Sequence, residues 1–157
     1  MTPKPPHVVV VRCSLLDGYD PIAEIDKLVR TKKSAWFGKY GQPLGPRIKE
    51  TLESGEREVY ALLVRKGKEE EGGQYIFKLY RVLDITKDVT PPAGAYPRYY
   101  SAFLNRIRTW IRLAPYEGVE VSLDDLTTRS SGLPLRKSLA QSMKGHFNAV
   151  LRVRQHV

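Results

Sequence analysis

The residues with chemistry to offer are large rings set among basic residues and glycines. Trp36, Phe37 and Tyr40 fall in the stretch "SAWFGKYG", with Lys39 among them and glycines at Gly38 and Gly41. A second cluster, Tyr96, Tyr99 and Tyr100, follows Pro91 and Pro92, and Pro97 and Arg98 interrupt it. Trp110 and Tyr116 form a third. Rings on loops, interleaved with Arg and Lys, can stack on bases while the cations hold phosphates. Each stacked base contributes roughly 1–3 kcal/mol. The competing reading is that the tyrosines cover the open end of a small barrel. Trp110 lies in the alternating run "RIRTWIRL" and is expected in the core. For Trp36 a ligand contact is expected, because glycines that bend the segment would turn Phe37 toward the core and Tyr40 toward the rim.

Signatures of catalysis are missing from the sequence. It has no G-x-S-x-G elbow, P-loop or H-E-x-x-H motif. His7, His146 and His156 lack metal-ligand spacing, so no metal or cofactor is expected. Cys13 could be a nucleophile with His146, but a cysteine ending a valine-rich strand is more often small core filler. Asp124 and Asp125 are adjacent and would diverge on a helical turn, which suits capping better than a shared site.

Charge points to a polyanionic partner. The formal net charge is +9. Residues 98–157 carry 10 Lys/Arg against 4 Asp/Glu, and no acid follows Asp125. Nucleic acid is favoured over a membrane surface, since no amphipathic membrane helix is evident. A plain solvated basic surface is the alternative. The single Cys13 allows no internal disulfide, so a reducing, cytoplasmic setting is expected. Scarce Asn, Gln, Cys and Met beside plentiful charges lean toward a thermophilic source.

A small set of elements must position these groups. The 157 residues fit one domain, taken as 1–157. "HVVVVRC" predicts a buried strand. Asp20 and Pro21 predict a helix over 21–30. "PRIKETLES" predicts a second helix stopped by Gly55. "REVYALLVRKG" and "QYIFKLYRVLDI" predict an antiparallel pair joined by "KEEEGG". "RIRTWIRLAPY" predicts a strand, "SLDDL" a helical turn capped by Ser122, and "FNAVLRV" a closing strand. The basic stretch "TTRSSGLPLRKSLAQS" reads as a loop with a short helix at its end. The result is an α+β domain with a curved or barrel-like sheet flanked by helices.

The order of these features resembles the YTH/EVE branch of the PUA-like superfamily over roughly residues 7–153. "VVVVRCS" matches that family's first strand, and "SAWFGKYG" stands where it places a tryptophan wall of an aromatic cage. "YPRYYSAFLNRIRTWIRL" has its order of cage aromatics followed by a strand containing "WI", with tyrosines where tryptophans are usual. The later basic loop of that family finds a counterpart in "SGLPLRKS". The resemblance implies a PUA-like fold whose cage is Trp36 with one or two of Tyr96, Tyr99 and Tyr100. It implies base-edge contacts from Ser14 and the backbone of Phe37, and a phosphate contact from Arg12. Lys39, Arg98, Arg112, Arg136 and Lys137 complete the expected nucleic-acid surface. The segments "WFGKYG" and "TWI" also look like N-terminal specificity domains of McrB-type modification-dependent restriction systems, which would make the chain part of a larger GTPase subunit.

The expectation drawn from the resemblance is a non-enzymatic reader of a modified base. N6-methyladenine in DNA, flipped into an aromatic cage, is the first choice. An RNA-binding PUA-like or YTH-like module, and a small nucleotide-processing enzyme, are the rivals.

Overall fold

Four consecutive valines leave the first strand no solvent face. β1 (His7–Arg12) has Val8, Val9 and Val10 at 0% exposure, as expected of β-branched side chains in a strand covered on both sides. The computed structural model describes residues 6–15, 18–40, 43–87, 89–118, 120–129, 132–141 and 146–151. In it, α1 (Pro21–Lys32) and β2 (Ala35–Tyr40) follow β1. Next come α2 (Pro46–Ser54), β3 (Val59–Lys66), β4 (Tyr75–Lys87) and β5 (Ile107–Pro115). β6 (Leu126–Thr128), α3 (Leu135–Gln141) and β7 (His146–Leu151) complete the chain.

The caps expected from the sequence are in place. Asp20 accepts from the Ile22 N–H at 3.1 Å with Pro21 at the first helical position. Gly55 ends α2 in the left-handed region at φ 67°, which glycine adopts without steric penalty. Ser122 caps a short 3-10 turn, Leu123–Asp125.

The strands form one seven-stranded mixed sheet in the order β2-β5-β4-β3-β1-β7-β6. Among the described residues β1 and β3 pair in parallel and the other strand pairs are antiparallel, including the expected β3–β4 hairpin. One face buries Val9, Val11, Ala61 and Leu63 against Ile22, Ile25 and Val29 of α1 and Ile48 of α2. The opposite face buries Val8, Val10, Leu62 and Val64 against Leu123, Leu126, Leu135 and Leu139. A bulge keeps β4 in phase with this core. Its pairing with β5 shifts between Val82 and Asp84, so Tyr80, Val82 and Ile85 all reach the α1/α2 side despite their odd spacing.

The fold corrects the sequence reading in three places. The sheet does not close into a barrel: β2 and β6 are its two edges, and no strand pairing joins them among the described residues. Ala35–Tyr40 is a strand, not a glycine bend. Thr127 and Thr128, expected in a loop, belong to β6. Gly38 serves close packing. A Cβ there would lie 2.7 Å from Ile107 Cδ1 and 3.0 Å from its Cγ2. Gly38→Ala should therefore push Ile107 aside and cost about 1–2 kcal/mol, read as a lower melting temperature. Gly41 lies outside the described residues.

His7 gives β1 a pH dependence. The ring is 3% exposed, its Nε2 lies 3.0 Å from Asn148 Oδ1, and its Nδ1 has no partner. Burial holds its pKa below the ordinary 6.5. As pH falls below that value the unfolded chain takes up a proton that the folded chain resists. Stability should be full above about pH 6.5 and decline as pH falls toward the depressed folded value. Urea unfolding of wild type and His7→Asn between pH 7 and 5 should show a shallower slope in the variant.

Candidate functional site

A cavity of about 180 Å³ opens where β1 ends beside β2, although three strands separate them within the sheet. The sheet must therefore curl until these strands face one another across an unbonded seam. Val11, Arg12, Cys13 and Ser14 line one side of the cavity, and Phe37, Gly38, Lys39 and Tyr40 the other. Tyr99 and Tyr100 approach from the loop after β4, and Pro21 from the start of α1.

The tyrosine loop seals the free edge of β2. The Trp36 N–H donates to the Ala95 carbonyl at 2.8 Å, and the Gly38 N–H to the Tyr100 hydroxyl at 3.4 Å. These two bonds cover strand-edge donors that would otherwise face water or another chain. Tyr100 is 1% exposed and meets the Tyr99 ring edge-on at 4.9 Å, while burial raises the pKa of both phenols. Tyr99 is half-buried and stacks on Tyr19 at 4.7 Å with 4° between the rings.

Strand alternation divides the aromatics. Phe37 is 5% exposed and faces the α1/α2 core and the cavity. Trp36, one residue earlier, faces the other way and packs in a cluster with Tyr96, Tyr100 and Trp110. Neither Trp36 nor Tyr96 is among the described residues that line the cavity. Tyr96 is buried, with its ring 5.2 Å from Trp110 and 6.0 Å from Tyr100.

A register shift between β2 and β5 falls beside Tyr40. Lys39 pairs with Thr109 and Tyr40 with Ile107, so β5 carries one extra residue, Arg108, at this point. The extra residue re-aims β5, while Lys39 and Tyr40, neighbours in sequence, both line the cavity. Lys39 is 5% exposed and donates to the Tyr40 carbonyl at 3.2 Å. Burial holds its ammonium below the ordinary pKa. The Tyr40 hydroxyl is buried with no hydrogen-bond partner, a rarity for a native polar atom.

The structure thus brings together Arg12, Ser14, Phe37, Lys39, Tyr99 and Tyr100. Arg12 also donates to the Leu139 carbonyl of α3 at 2.9 Å, and Ser14 is exposed at the mouth. The expected surface cations lie outside the cavity. Arg98 is exposed beside Tyr99, and Arg112 donates to Ser34 Oγ at 3.2 Å. Arg136 pairs with Asp124 at 2.9 Å, and Lys137 is exposed. Lys144, Arg152 and Arg154 lie outside the described residues.

Two participants escaped the sequence reading. Tyr40, expected at a rim, lines the cavity with its hydroxyl buried. Tyr19, in the turn "DGYDP", gave no sign of stacking on a tyrosine some eighty residues away.

The lining is suited to binding. At about 180 Å³ the cavity falls below the 300–1,000 Å³ common for drug-sized ligands, which suits a single ring system. Burial pushes the Cys13 thiol up to about 12, so it stays protonated and poorly nucleophilic at neutral pH. No group of three or more His, Cys, Asp or Glu able to hold a metal occurs among the described residues. No described helix is long and apolar enough to cross a membrane. Compared with protein-family models, curated proteins and solved structures, the chain matches none.

Proposed function

We propose that this chain is a non-enzymatic nucleic-acid reader that takes one modified base, N6-methyladenine in DNA, into the cavity between β1 and β2. On this reading the fold is a PUA-like, EVE/YTH-like variant with an open seam. The chain then acts in the cytoplasm as the recognition part of an McrB-type restriction subunit. The observation that carries the proposal is the cavity itself: ring-sized, walled by Phe37, Tyr40, Tyr99 and Tyr100, and flanked by cations. The cage is that set, with Trp36 and Tyr96 supporting it from behind.

Taking a base from a duplex costs a few kcal/mol in lost stacking and pairing. Stacking on Tyr99, with Phe37 and Tyr40 as further walls, offsets it. The cations outside the cavity hold the distorted backbone. A buried methyl adds about 0.8 kcal/mol, roughly fourfold in affinity.

The test is a binding panel of one sequence as DNA and as RNA, with N6-methyladenine, 5-methylcytosine, 5-hydroxymethylcytosine or no modification. The N6-methyladenine DNA should bind tightest. A panel in which RNA wins throughout would transfer the cavity to an RNA reader. Turnover of any substrate would move it to an enzyme.

The outer cations should act without regard to the base. Affinity for every oligonucleotide should fall steeply between about 50 and 200 mM salt, as counterion release requires. Arg98→Glu should weaken modified and unmodified sites alike and flatten the salt dependence. An unchanged salt slope would place Arg98 off the interface.

A further inference from the structure

The cavity's polar groups are one-sided. Lys39 and Arg12 supply positive charge, Tyr40 and Ser14 supply hydroxyls, and no carboxylate is among the described residues that line it. The acid whose charge reaches Cys13 is Asp20, and it is engaged elsewhere. It accepts from the buried Arg65 at 3.0 Å and from the Ile22 N–H at 3.1 Å. Arg65 also grips Glu71 with two bonds of 2.9 Å, which fixes the far side of this ion cluster. The bulge at Lys39/Tyr40 is the second observation. There β5 carries the extra residue Arg108, and beside it Lys39 and Tyr40 both line the cavity, with the Tyr40 hydroxyl buried and unpartnered.

We propose that Lys39 and Tyr40 form the specificity element of the cavity, donating hydrogen bonds to ring acceptors of the bound heterocycle and excluding any ring that carries positive charge. This rests on the base-reading function and narrows its ligand to neutral or anionic rings with an acceptor edge. N6-methyladenine qualifies, because its ring nitrogens remain acceptors. Its isomer N1-methyladenine has the same atoms and nearly the same size. It has lost the N1 acceptor, however, and is cationic at neutral pH. Beside a buried ammonium, with no carboxylate among the described lining residues, that charge meets a like charge in a poorly solvated site.

The isomer pair separates charge from shape. Equilibrium affinities are measured for one DNA strand carrying adenine, N6-methyladenine or N1-methyladenine at a fixed position. Wild type should prefer N6-methyladenine and bind the N1 isomer at least about a hundredfold more weakly. Lys39→Met keeps the stem and removes the charge. It should lower N6-methyladenine affinity about ten- to hundredfold, the range for a hydrogen bond to a charged group, and bring the two isomers within about fivefold. Tyr40→Phe removes only the hydroxyl and should lower N6-methyladenine affinity severalfold. It keeps the test open if the lysine variant fails to fold. Preference for N6-methyladenine with comparable N1-isomer binding would overturn the specificity proposal alone. So would a Lys39→Met protein with wild-type discrimination. Equal affinity for adenine and N6-methyladenine, unaffected by either variant, would overturn the base-reading function as well.

Discussion

Trp110→Ala should unfold well below the wild-type temperature and lose binding as a consequence. The indole is 2% exposed, in the middle of β5, between Gly38 of β2 and Thr86 of β4. Its ring sits 5.2 Å from Tyr96 and 6.0 Å from Tyr100. Removing it leaves a cavity under both tyrosines, a change that costs about 3–5 kcal/mol for a large buried aromatic. At about 2–4 °C per kcal/mol for a domain of this size, the melting temperature should drop by roughly 6–20 °C. The loss should reach the site, because Tyr100 covers the Gly38 N–H and packs edge-on against Tyr99. A thermal melt checks it. A variant that melts like the parent yet no longer binds would mean that Trp110 contacts ligand.

Tyr99→Ala should do the reverse, with stability largely kept and discrimination lost. Tyr99 is half-buried at the edge of the Tyr96/Tyr100/Trp110 cluster, and its stacking partner Tyr19 is 46% exposed, so less core depends on it than on Trp110. It lines the cavity on the side of the loop that seals β2. Losing a stacking face worth about 1–3 kcal/mol should weaken binding roughly five- to more than a hundredfold. The loss should be larger for the methylated base, which fills the cavity better. Trp36→Ala is the natural comparison. Trp36 lies on the opposite side of β2, so its removal should cost stability first and leave the ratio of methylated to unmodified affinity near the wild-type value. If Trp36→Ala erased that ratio while Tyr99→Ala kept it, the cage would lie on the outer face of β2 instead.

Elements governed by local physics were legible in the sequence. The valine run of β1, the Asp20–Pro21 start of α1 and the Gly55 stop of α2 each carry their own signal, and all formed as read. So did the β3–β4 pair and β5, where alternation and β-branched residues agree. β2 was obscured by its glycine, which is there for Ile107 and not for a turn. β6 is only three residues long, and it becomes a strand by pairing with β7. The parallel pairing of β1 with β3, and the seam it leaves beside β2, depend on contacts distant in sequence.

The groups that line the cavity were legible by composition, but not which way each side chain would face. Tyrosines, Lys39 and the β1 terminus were singled out, and they do meet. Which aromatics would line the cavity depended on strand parity. Phe37 and Trp36 had to take opposite faces once the segment was a strand. The register shift at Lys39/Tyr40, with Arg108 as the extra residue of β5, carried no local signal either.

The central claim is that a base enters the cavity between β1 and β2. Its most direct test is the structure of the protein bound to a DNA oligonucleotide carrying one N6-methyladenine. The account predicts the methylated ring out of the helix and against Tyr99, with Lys39 and Tyr40 at its acceptor edge. A methylated base still stacked in the DNA, or one resting on Trp36 outside the cavity, would contradict it.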